Sequence, residues 1–396
     1  MNKTFEYKKK DNSTPEEIRD AVKATCDFME RAYEEGYYPK LSIIRDWSEH
    51  NPEITGEFAK PRVYRWYLNR ELKKLISMGA TVKVDYSRKL IPLNDPSLLT
   101  YLDEDDMDFT LKKLFLFRPE RIDLSLDRLE HYTGTKAEDF QRYILFTNYD
   151  MHVEVFKQKY PDCVVPSRDG VQMPAYHHKL DENLGISLVN IGVGPSNAKT
   201  CTDHIAVLRP DAMIMVGHCG GLRNHQEIGD FVLASGYMRD DNVLDDDIPL
   251  SVPIIPNYAL NLFLQQALEK YGMEYRIGTV FTTGNRNWEF SMKRTVSSIH
   301  ISRSIAIDME SATVATNGFR YRIPNATLLC VSDKPLHGKP KLSGAAQSFY
   351  QNSKEKHLEI VIETIELSKK QNPQGLPNAS IRATNEPLMG GPATEG

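Results

Sequence analysis

Acidic side chains follow two apolar segments of the sequence at the point where each segment ends. The segment SIAID runs into Met309 and Glu310, and the segment TLLCVS delivers Asp333 just before Lys334 and Pro335. A charge at the end of a buried strand needs hydrogen-bond partners. A glutamate there can accept hydrogen bonds from two adjacent hydroxyl groups, such as those of a ribose, although capping the start of a helix explains Glu310 equally well.

Asp333 has the type and setting of a general acid. Burial at a strand end can raise the pKa of a carboxyl group, so that it donates a proton near neutral pH. Lys334 opposes such a shift if the two side chains meet, and a turn aspartate without a catalytic role fits the same pattern. Met309 offers a soft apolar wall beside these carboxylates.

Two glycine-rich turns end two other apolar segments. In the first, IGVGPSN, Gly192 and Gly194 permit close approach of a ligand to the backbone, and Ser196 is predicted to cap a helix that begins near Asn197. This turn is not the dinucleotide fingerprint, because Asn197 stands where its third glycine would be. Its backbone amides can face an anion or a polarised hydroxyl group.

The second turn, VGHCGGL, contains His218, Cys219, Gly220 and Gly221. The consecutive glycines indicate that a ligand or another chain segment passes close to the backbone. Cys219 has the chemistry of a nucleophile, but no Cys-His-Asn arrangement accompanies it, so a packed thiol is the expectation. His218 is likewise expected to be a structural histidine.

The remaining cysteines and acidic runs predict no metal site. The five cysteines are odd in number, form no CxxC pair and have no histidine at metal-ligand spacing, which indicates buried free thiols. The acidic runs at 103–106 and 245–247 are typical of solvated loops. The cysteines are Cys26, Cys163, Cys201, Cys219 and Cys330.

The sequence after residue 140 predicts an α/β domain, extending to residue 370, with a central sheet flanked by helices. Near-continuous apolar strands indicate a sheet covered on both faces, and sites in such folds collect at the carboxyl ends of the strands. Helices are expected from Ala198 to Leu208, in YALNLFLQQALEKYG and from Gln347 to Lys370. The predicted strands lie in RYILFTNY, GISLVNIGVG, DAMIMVGHCGG, DFVLASGYM, RIGTVFTTG, SIAIDMES and ATLLCVSDKP.

Residues 1–135 predict a separate, smaller α+β domain, and residues 371–396 an irregular tail or arm. An amphipathic helix, with Tyr64, Leu68, Leu72 and Leu75 on one face, precedes an alternating strand in TVKVDYS. Its basic residues either bind an anion or are simply solvated. These are Arg62, Arg65, Arg70, Lys73 and Lys74.

Charge and hydropathy limit the classes of partner. The formal net charge is -5 over 396 residues, which gives no reason to expect a nucleic acid polymer. No apolar run approaches the roughly 20 residues that span a bilayer. A cytoplasmic protein without a membrane partner is therefore expected.

The motifs together resemble the nucleoside phosphorylase and nucleosidase superfamily, in which a glycine turn, a Gly-Gly turn, a Met-Glu pair and a strand-end Asp build one purine-riboside site. The similarity is more specific to the bacterial AMP nucleosidase family. It extends over nearly the whole chain. The segments that carry it are HYTGT, LFTNY, VNIGVGPSNAK, GHCGGLR, RNWE, DMESAT, LLCVSDKPLHG and NEP.

The resemblance implies a nucleoside-phosphorylase-like mixed sheet and hydrolysis of AMP to adenine and ribose 5-phosphate, with no cofactor for the chemistry. Asp333 would protonate adenine N7, while Glu310 and Met309 hold the ribose. Trp288 would pack near the base, with a core tryptophan as the competing interpretation, and Arg286 is the candidate clamp for phosphate. The other implied substrate-binding residues are Asn148, Tyr149, Gly194, Ser196, Cys219, Gly220 and Ser332.

The loop after the first strand of this domain favours water as the nucleophile. Phosphorylases of the superfamily carry a glycine and an arginine there to bind phosphate, whereas this chain has TNYDMHV. Related nucleosidases use a glutamate in that loop to activate water, and no clear equivalent is present. Asp150 lies close in sequence, and Asn148 and Tyr149 are expected to orient the water or the ribose.

The same resemblance implies a homohexamer whose amino-terminal domain is regulatory, with ATP (bound with Mg²⁺) as activator and phosphate as inhibitor. Two alternatives remain open from the sequence. One is a purine nucleoside phosphorylase that requires phosphate as co-substrate. The other is a nucleotide-sensing protein that binds AMP without turnover.

Overall fold

The computed structural model describes residues 3–9, 13–44, 53–63, 65–77, 79–90, 119–339, 343–373 and 375–376. They fall into two compact units, divided between Arg128 and Leu129. The acidic run at 103–106 and nearly all of the predicted tail lie outside the described residues.

The first unit is an antiparallel sheet with helices packed on it. Its strands have the order β1-β4-β2-β3. Leu68 and Leu72 of α2 are buried, as are Val82 and Val84 of β4, which confirms the amphipathic helix and the alternating strand. The strands are β1 (Thr4–Tyr7), β2 (Tyr37–Ile44), β3 (Glu53–Glu57) and β4 (Thr81–Lys89), and the helices are α1 (Pro15–Glu34) and α2 (Arg65–Ser77).

The basic face of α2 is partly engaged within this unit. Arg65 forms ion pairs of 2.6 Å with Asp27 and with Glu30 of α1. Arg70 lies over the ring of Trp66, with its guanidinium carbon 5.6 Å from the ring centroid. Arg65 therefore joins the two helices rather than facing solvent alone.

Helix α3 (Pro119–Thr133) crosses the boundary, and the second unit follows it as a mixed sheet with helices. All seven strands predicted from the sequence are confirmed, and the short strand β6 was missed. The strands are β5 (Tyr143–Thr147), β6 (Ala175–His178), β7 (Ile186–Asn190), β8 (Ala212–Gly221), β9 (Phe231–Asp240), β10 (Tyr275–Thr283), β11 (Ala306–Asp308) and β12 (Asn325–Asp333). The helices are α4 (Asp150–Lys159), α5 (Pro195–Ile205), α6 (Tyr258–Lys270), α7 (Met292–Ser302), α8 (Ser311–Arg320) and α9 (Ser343–Gln371).

The sheet brings four parallel strands side by side, in the order β7-β5-β8-β12. Their carboxyl ends share one edge, so the segments that follow them lie together. Strand β11 pairs with β10 on one side and, antiparallel, with β8 on the other, which closes part of the sheet on itself. The segment after β11 therefore also returns towards β8.

The core explains why these strands read as unbroken apolar runs. Every residue of β8 is buried, and α6 and α9 pack against the same face of the sheet. A strand covered on both faces buries successive residues rather than alternate ones. The α/β class expected from the sequence is confirmed.

A buried polar network joins α5 and α8, the two helices that begin at the candidate site. Asp203 of α5 accepts hydrogen bonds from Asn317 at 2.8 Å, Arg320 at 3.3 Å and Tyr321 at 2.9 Å. Lys199 adds an ion pair of 2.7 Å. Burying these groups is tolerable because each finds a partner, and the network fixes the two helices against each other.

The cysteines and the acidic run at 245–247 also bear on predictions made from the sequence. All five cysteines are free thiols, four of them buried and Cys163 half-buried, which confirms the expectation. In the acidic run at 245–247, Asp245 pairs with Arg239 and Asp247 with Arg320, so this loop is not merely solvated. Within the described part of the chain, helices long and apolar enough to span a membrane are absent.

Candidate active site

Glu310 is a buried carboxylate bound by two segments distant in sequence. It is the residue before α8 and is only 2% exposed. Its Oε1 accepts the backbone N–H of Gly194 at 2.7 Å, and its Oε2 accepts the side-chain amide of Asn148 at 3.2 Å. The predicted helix-start position is confirmed, but the carboxylate binds neighbouring loops and makes no side-chain cap of its own helix.

The neighbouring Asp308 has the capping role instead. Its Oδ2 accepts the backbone N–H of Ser311 at 2.9 Å, in the first turn of α8, and its Oδ1 accepts the Thr282 hydroxyl at 2.6 Å. Burial raises the pKa of Glu310, and the nearby Asp308 charge raises it further. The Gly194 N–H and the Asn148 amide act in the opposite direction because they stabilise the ionised form.

Gly194 explains why the first turn needs glycine. Its φ of 117° and ψ of 153° are strained for any residue with a side chain, and this conformation aims its N–H at Glu310. The prediction that Ser196 caps the following helix is wrong. Helix α5 begins at Pro195 with Gly194 as its cap, and Ser196 is an exposed residue of the first turn. Proline is suited to that first helical position because its missing N–H needs no partner there.

Asn148 and Tyr149 follow β5, at the edge shared by the parallel strands. The Asn148 side chain crosses over β8, where its Oδ1 would lie 3.7 Å from a Cβ added at Gly217. Tyr149 packs the edge of its ring against His218 with 4.4 Å between ring centroids. Asp150, the nearest acid to this loop, accepts the Asn190 amide at 2.8 Å and so ties α4 to the end of β7.

Asp333 ends β12, opposite Gly220 of β8. The ladder is irregular between Val331 and Asp333, and Ser332 at this irregularity donates from its hydroxyl to Asp333 Oδ1 at 2.6 Å. Lys334 directs its ammonium group to the carbonyl of Asn224 at 2.8 Å. A carboxyl group with a hydroxyl neighbour thus stands beside the Gly-Gly turn.

Strand ends therefore bring Glu310, Asn148, Gly194 and Asp333 to one edge of the sheet, and the comparison with known proteins gives this arrangement a family. Residues 142–366 match the Phosphorylase superfamily. This chain belongs to that superfamily. The match contains every site residue described above, and the first unit lies outside it.

Within the phosphorylase superfamily, the chain is similar to AMP nucleosidases over most of its length. It is 38% identical over 431 aligned positions to "AMP nucleosidase" of Escherichia coli (strain K12), covering 88% of each protein. That coverage exceeds the length of the second unit, so the similarity includes part of the first. The resemblance inferred from the motifs is confirmed.

Solved structures of the superfamily share the fold of the second unit. The crystal structure of AMP nucleosidase from Bacteroides thetaiotaomicron covers 63% of this chain and 99% of its own, with 29% identity and a TM-score of 0.54. Purine nucleoside phosphorylase from Toxoplasma gondii, in complex with immucillin-H, covers 61% and 98%, with 17% identity and a TM-score of 0.52. The second of these shows the fold alone.

The other site residues predicted from the sequence differ in burial. Trp288 is buried among Phe281, Ile299 and Ile307, as the core interpretation expects, and Arg286 two residues before it is exposed. The Cys219 side chain packs in an apolar cluster, while its carbonyl oxygen lies 3.3 Å from the Ser332 hydroxyl, as the more distant alternative acceptor to Asp333. Met309 is half-buried beside Glu310.

Three histidines that the sequence did not connect lie together beneath this edge. They are His152 of α4, His218 of β8 and His357 of α9, and all three are buried. Because 66 residues separate the first two and 139 the last two, no local spacing signals the cluster. They meet because α9 packs against both α4 and β8 in this fold.

An open cavity of about 500 Å³ occurs in the second unit, lined by Arg223, His300 and Arg303. Arg303 precedes β11, and Arg223 follows the end of β8 that pairs with the start of β11, so the cavity lies at the end of β8 where Asp333 is opposite Gly220. Its lining is basic, whereas the candidate site is lined by carboxylates.

Proposed function

We propose that this protein hydrolyses the N-glycosidic bond of AMP and releases adenine and ribose 5-phosphate. The observation that carries the proposal is a buried carboxylate, Glu310, held at the same sheet edge as Asp333 in a chain that is 38% identical to an AMP nucleosidase over 88% of its length. The enzyme class is that of an N-glycosyl hydrolase.

Glu310 is proposed to bind the ribose hydroxyl groups. Each of its oxygens already accepts one protein donor and has a further lone pair, so two hydroxyl groups of a ribose can approach side by side. Met309 provides an apolar contact next to this position. Burial and the Asp308 charge raise the pKa of Glu310 to about 8, and the same two protein donors act against that shift because they stabilise the ionised carboxylate, the form that accepts both hydroxyl protons.

Asp333 is proposed as the general acid. Cleavage of the glycosidic bond returns its electron pair to adenine, and a proton delivered to N7 lets the base leave as a neutral molecule. The Ser332 hydroxyl donates to Oδ1 of Asp333 at 2.6 Å and so fixes the carboxyl group at the end of β12. The ribose carbon then carries oxocarbenium character until water adds.

The loop after β5 supports water rather than phosphate as the nucleophile. It offers Asn148, which donates to Glu310, with Tyr149 following it in the loop, and its acid Asp150 is engaged with Asn190. Loop residues 147–153 contain no cationic side chain to hold a phosphate ion. Asn148 and Tyr149 are proposed to orient the water or the ribose. Trp288 is proposed to pack near the base and Arg286 to bind the phosphate. The other proposed substrate-binding residues are Gly194, Ser196, Cys219, Gly220 and Ser332.

Regulation and assembly are proposed on the family resemblance. The first unit is the proposed regulatory domain, with ATP and Mg²⁺ as activator and phosphate as inhibitor of a cytoplasmic homohexamer. The relative that is similar in both units bears the name AMP nucleosidase, which supports a role of the first unit within the same enzyme.

Release of free adenine from AMP, followed by chromatography in phosphate-free buffer with and without ATP, tests the proposal. Adenine and ribose 5-phosphate in equal amounts, and a faster rate with ATP, are expected. Release that begins only when phosphate is added would identify a phosphorylase instead. Tight AMP binding without release under either condition would identify a nucleotide sensor.

A further inference from the structure

The buried histidines His152, His218 and His357 form a cluster, called here the histidine cluster, that the nucleosidase chemistry does not use. One ring nitrogen of each lies within 4.8 Å of the corresponding nitrogens of the other two. His152 and His357 are fully buried, and His218 is 6% exposed. Three imidazoles gathered from two helices and a strand make an unusually polar contact for the interior of a protein.

In two of the three rings, a hydrogen bond fixes one nitrogen, and the second nitrogen of the same ring has no such bond. The Nε2–H of His357 donates to the carbonyl of Leu328 at 3.0 Å, which leaves Nδ1 with a lone pair. The Nδ1 of His152 bonds the Thr147 hydroxyl at 2.7 Å. Among the residues that the structure describes, neither His357 Nδ1 nor His152 Nε2 has a hydrogen-bond partner, although both atoms are buried.

Such an arrangement costs free energy unless something else binds the two nitrogens. It also matches the outer contacts of metal-binding histidines, whose second nitrogen usually donates to a carbonyl or another fixed acceptor. Leu328 has that role for His357. Thr147, whose hydroxyl also accepts the backbone N–H of Tyr149, holds His152 in the same manner.

Ring spacing in the histidine cluster also fits one shared ion. The ring centroids of His152 lie 5.0 Å from His357 and 5.5 Å from His218, and those of His218 and His357 are 5.8 Å apart. A nitrogen ~2.0–2.1 Å from zinc places its ring centroid roughly 3.2 Å from the ion. Three centroids at that radius with these separations subtend angles of about 100–130° at the ion. The rings of His152 and His218 are within 4° of parallel, so a shared ion must lie in the plane of both rings, while the ring of His357 is nearly perpendicular to them.

We propose that His152, His218 and His357 bind one divalent transition-metal ion of the zinc class, with the fourth coordination position left for water or another donor. Imidazole ligands suit zinc, copper, iron and nickel, and three histidines with an open fourth position are a known zinc ligand set. The ion joins α4, β8 and α9 beneath the sheet edge that carries Tyr149, whose ring contacts His218.

Metal content of the full-length protein tests this directly. The protein is produced in medium supplemented with zinc, so that the ion is present during folding, and is then dialysed and analysed by elemental mass spectrometry. One zinc ion per chain is expected for the wild type. His357→Gln should retain less than about a tenth of it, because the loss of one of three protein ligands weakens binding by more than a change in an outer contact, which costs 10–100-fold.

His177→Gln is the matched control. His177 is also fully buried in the second unit, but its two nitrogens bond Ser187 and Thr135, so its replacement should leave the zinc content at one per chain. Equal zinc content in both variants, or no stoichiometric zinc in the wild type, would overturn the proposal. The cluster would then be a group of packed neutral histidines.

X-ray absorption of the zinc-loaded wild type provides a test that needs no variant to fold. Three imidazole nitrogens at 2.0–2.1 Å are expected. A first shell made of oxygen or sulfur ligands, or of fewer imidazoles, would contradict the site. Neither measurement depends on AMP hydrolysis, so its result is independent of the function proposed above.

Discussion

The carboxylate of Glu310 accepts the backbone N–H of Gly194 at 2.7 Å, across 116 residues of sequence. The N–H belongs to the cap of α5, so the negative charge lies at the amino-terminal end of that helix, where unpaired amides stabilise an anion. Burial of the carboxylate opposes ionisation, and this helix end counteracts it. The turn after β7 and the start of α8 are thereby fixed to each other at the candidate site.

Glu310→Gln tests whether this carboxylate binds the ribose. The amide keeps the shape but offers an NH₂ group where Gly194 or Asn148 already donates. Loss of a hydrogen bond to a charged group is worth about 1.5–3 kcal/mol, so kcat/KM for AMP should fall roughly 10- to 150-fold. Wild-type preference for AMP over 2′-deoxy-AMP should shrink at the same time, which steady-state kinetics on both substrates measures.

Glu289→Gln is the matched control for that change, because Glu289 is exposed in the segment after Arg286. Its kinetics on both nucleotides should stay within twofold of the wild type. A Glu310→Gln enzyme with unaltered kinetics on AMP and on 2′-deoxy-AMP would remove the ribose-binding role.

Asn148 should be important for activity because its side-chain amide donates a hydrogen bond to Glu310 at 3.2 Å. Asn148→Ala removes one hydrogen bond and should lower kcat/KM for AMP about 10-fold. Asn148→Asp places a second carboxylate against Glu310, and because like charges repel in a buried site the loss should exceed 100-fold. If the Asp variant is as active as the Ala variant, the two side chains do not meet in the working enzyme.

Asp333→Asn tests the general acid. An amide cannot release a proton to adenine N7, so kcat should fall by about 10²–10⁴, the range that general acid catalysis contributes. Affinity for AMP, measured by calorimetry, should change little because the amide has the same size. Substantial turnover by this variant would assign the acid elsewhere, and parallel loss of binding would make Asp333 a binding residue.

Most strands of the second unit could be predicted from the sequence, because they are buried on both faces and therefore appear as unbroken apolar runs. Strand-end carboxylates could also be identified, since Asp333 and Glu310 follow such runs directly. β6 was missed because its four residues, Ala175–His178, include two histidines and form no apolar run. Ser196 has the residue type of a helix cap, but Gly194 takes the capping position through its backbone conformation, which residue type alone does not indicate.

Contacts between distant segments could not be predicted in this way. The Asn148–Glu310 bond spans 162 residues, and it depends on β11 pairing back onto β8, which no periodicity encodes. The histidine cluster depends on the same kind of long-range order. Metal-ligand spacing rules detect sites built on one loop or helix, whereas these histidines come from α4, β8 and α9.

The network around Asp203 should support the site through stability. Asp203→Ala leaves the buried guanidinium of Arg320 with fewer partners, and breaking a buried ion pair in this way costs about 3–5 kcal/mol. Urea denaturation should show this loss in the free energy of unfolding. Asp246→Ala, at an exposed position of the acidic run, should stay within about 0.5 kcal/mol of the wild type. Equal midpoints for the two variants would contradict the network.

Glu310 should also make stability depend on pH in an unusual direction. Burial and the Asp308 charge raise its pKa in the folded protein, so the native state binds this proton more tightly than the unfolded chain does. The resulting stabilisation is complete below the unfolded-state pKa and is lost as pH rises through the folded-state pKa.

Glu310→Gln has no such titration. Its free energy of unfolding, relative to the wild type, should therefore increase between pH 5 and pH 9 by more than about 1 kcal/mol, since each unit of pKa difference is worth about 1.4 kcal/mol. Urea denaturation of both proteins across this range measures the difference, and a constant difference would mean that the folded protein leaves the pKa of Glu310 unchanged.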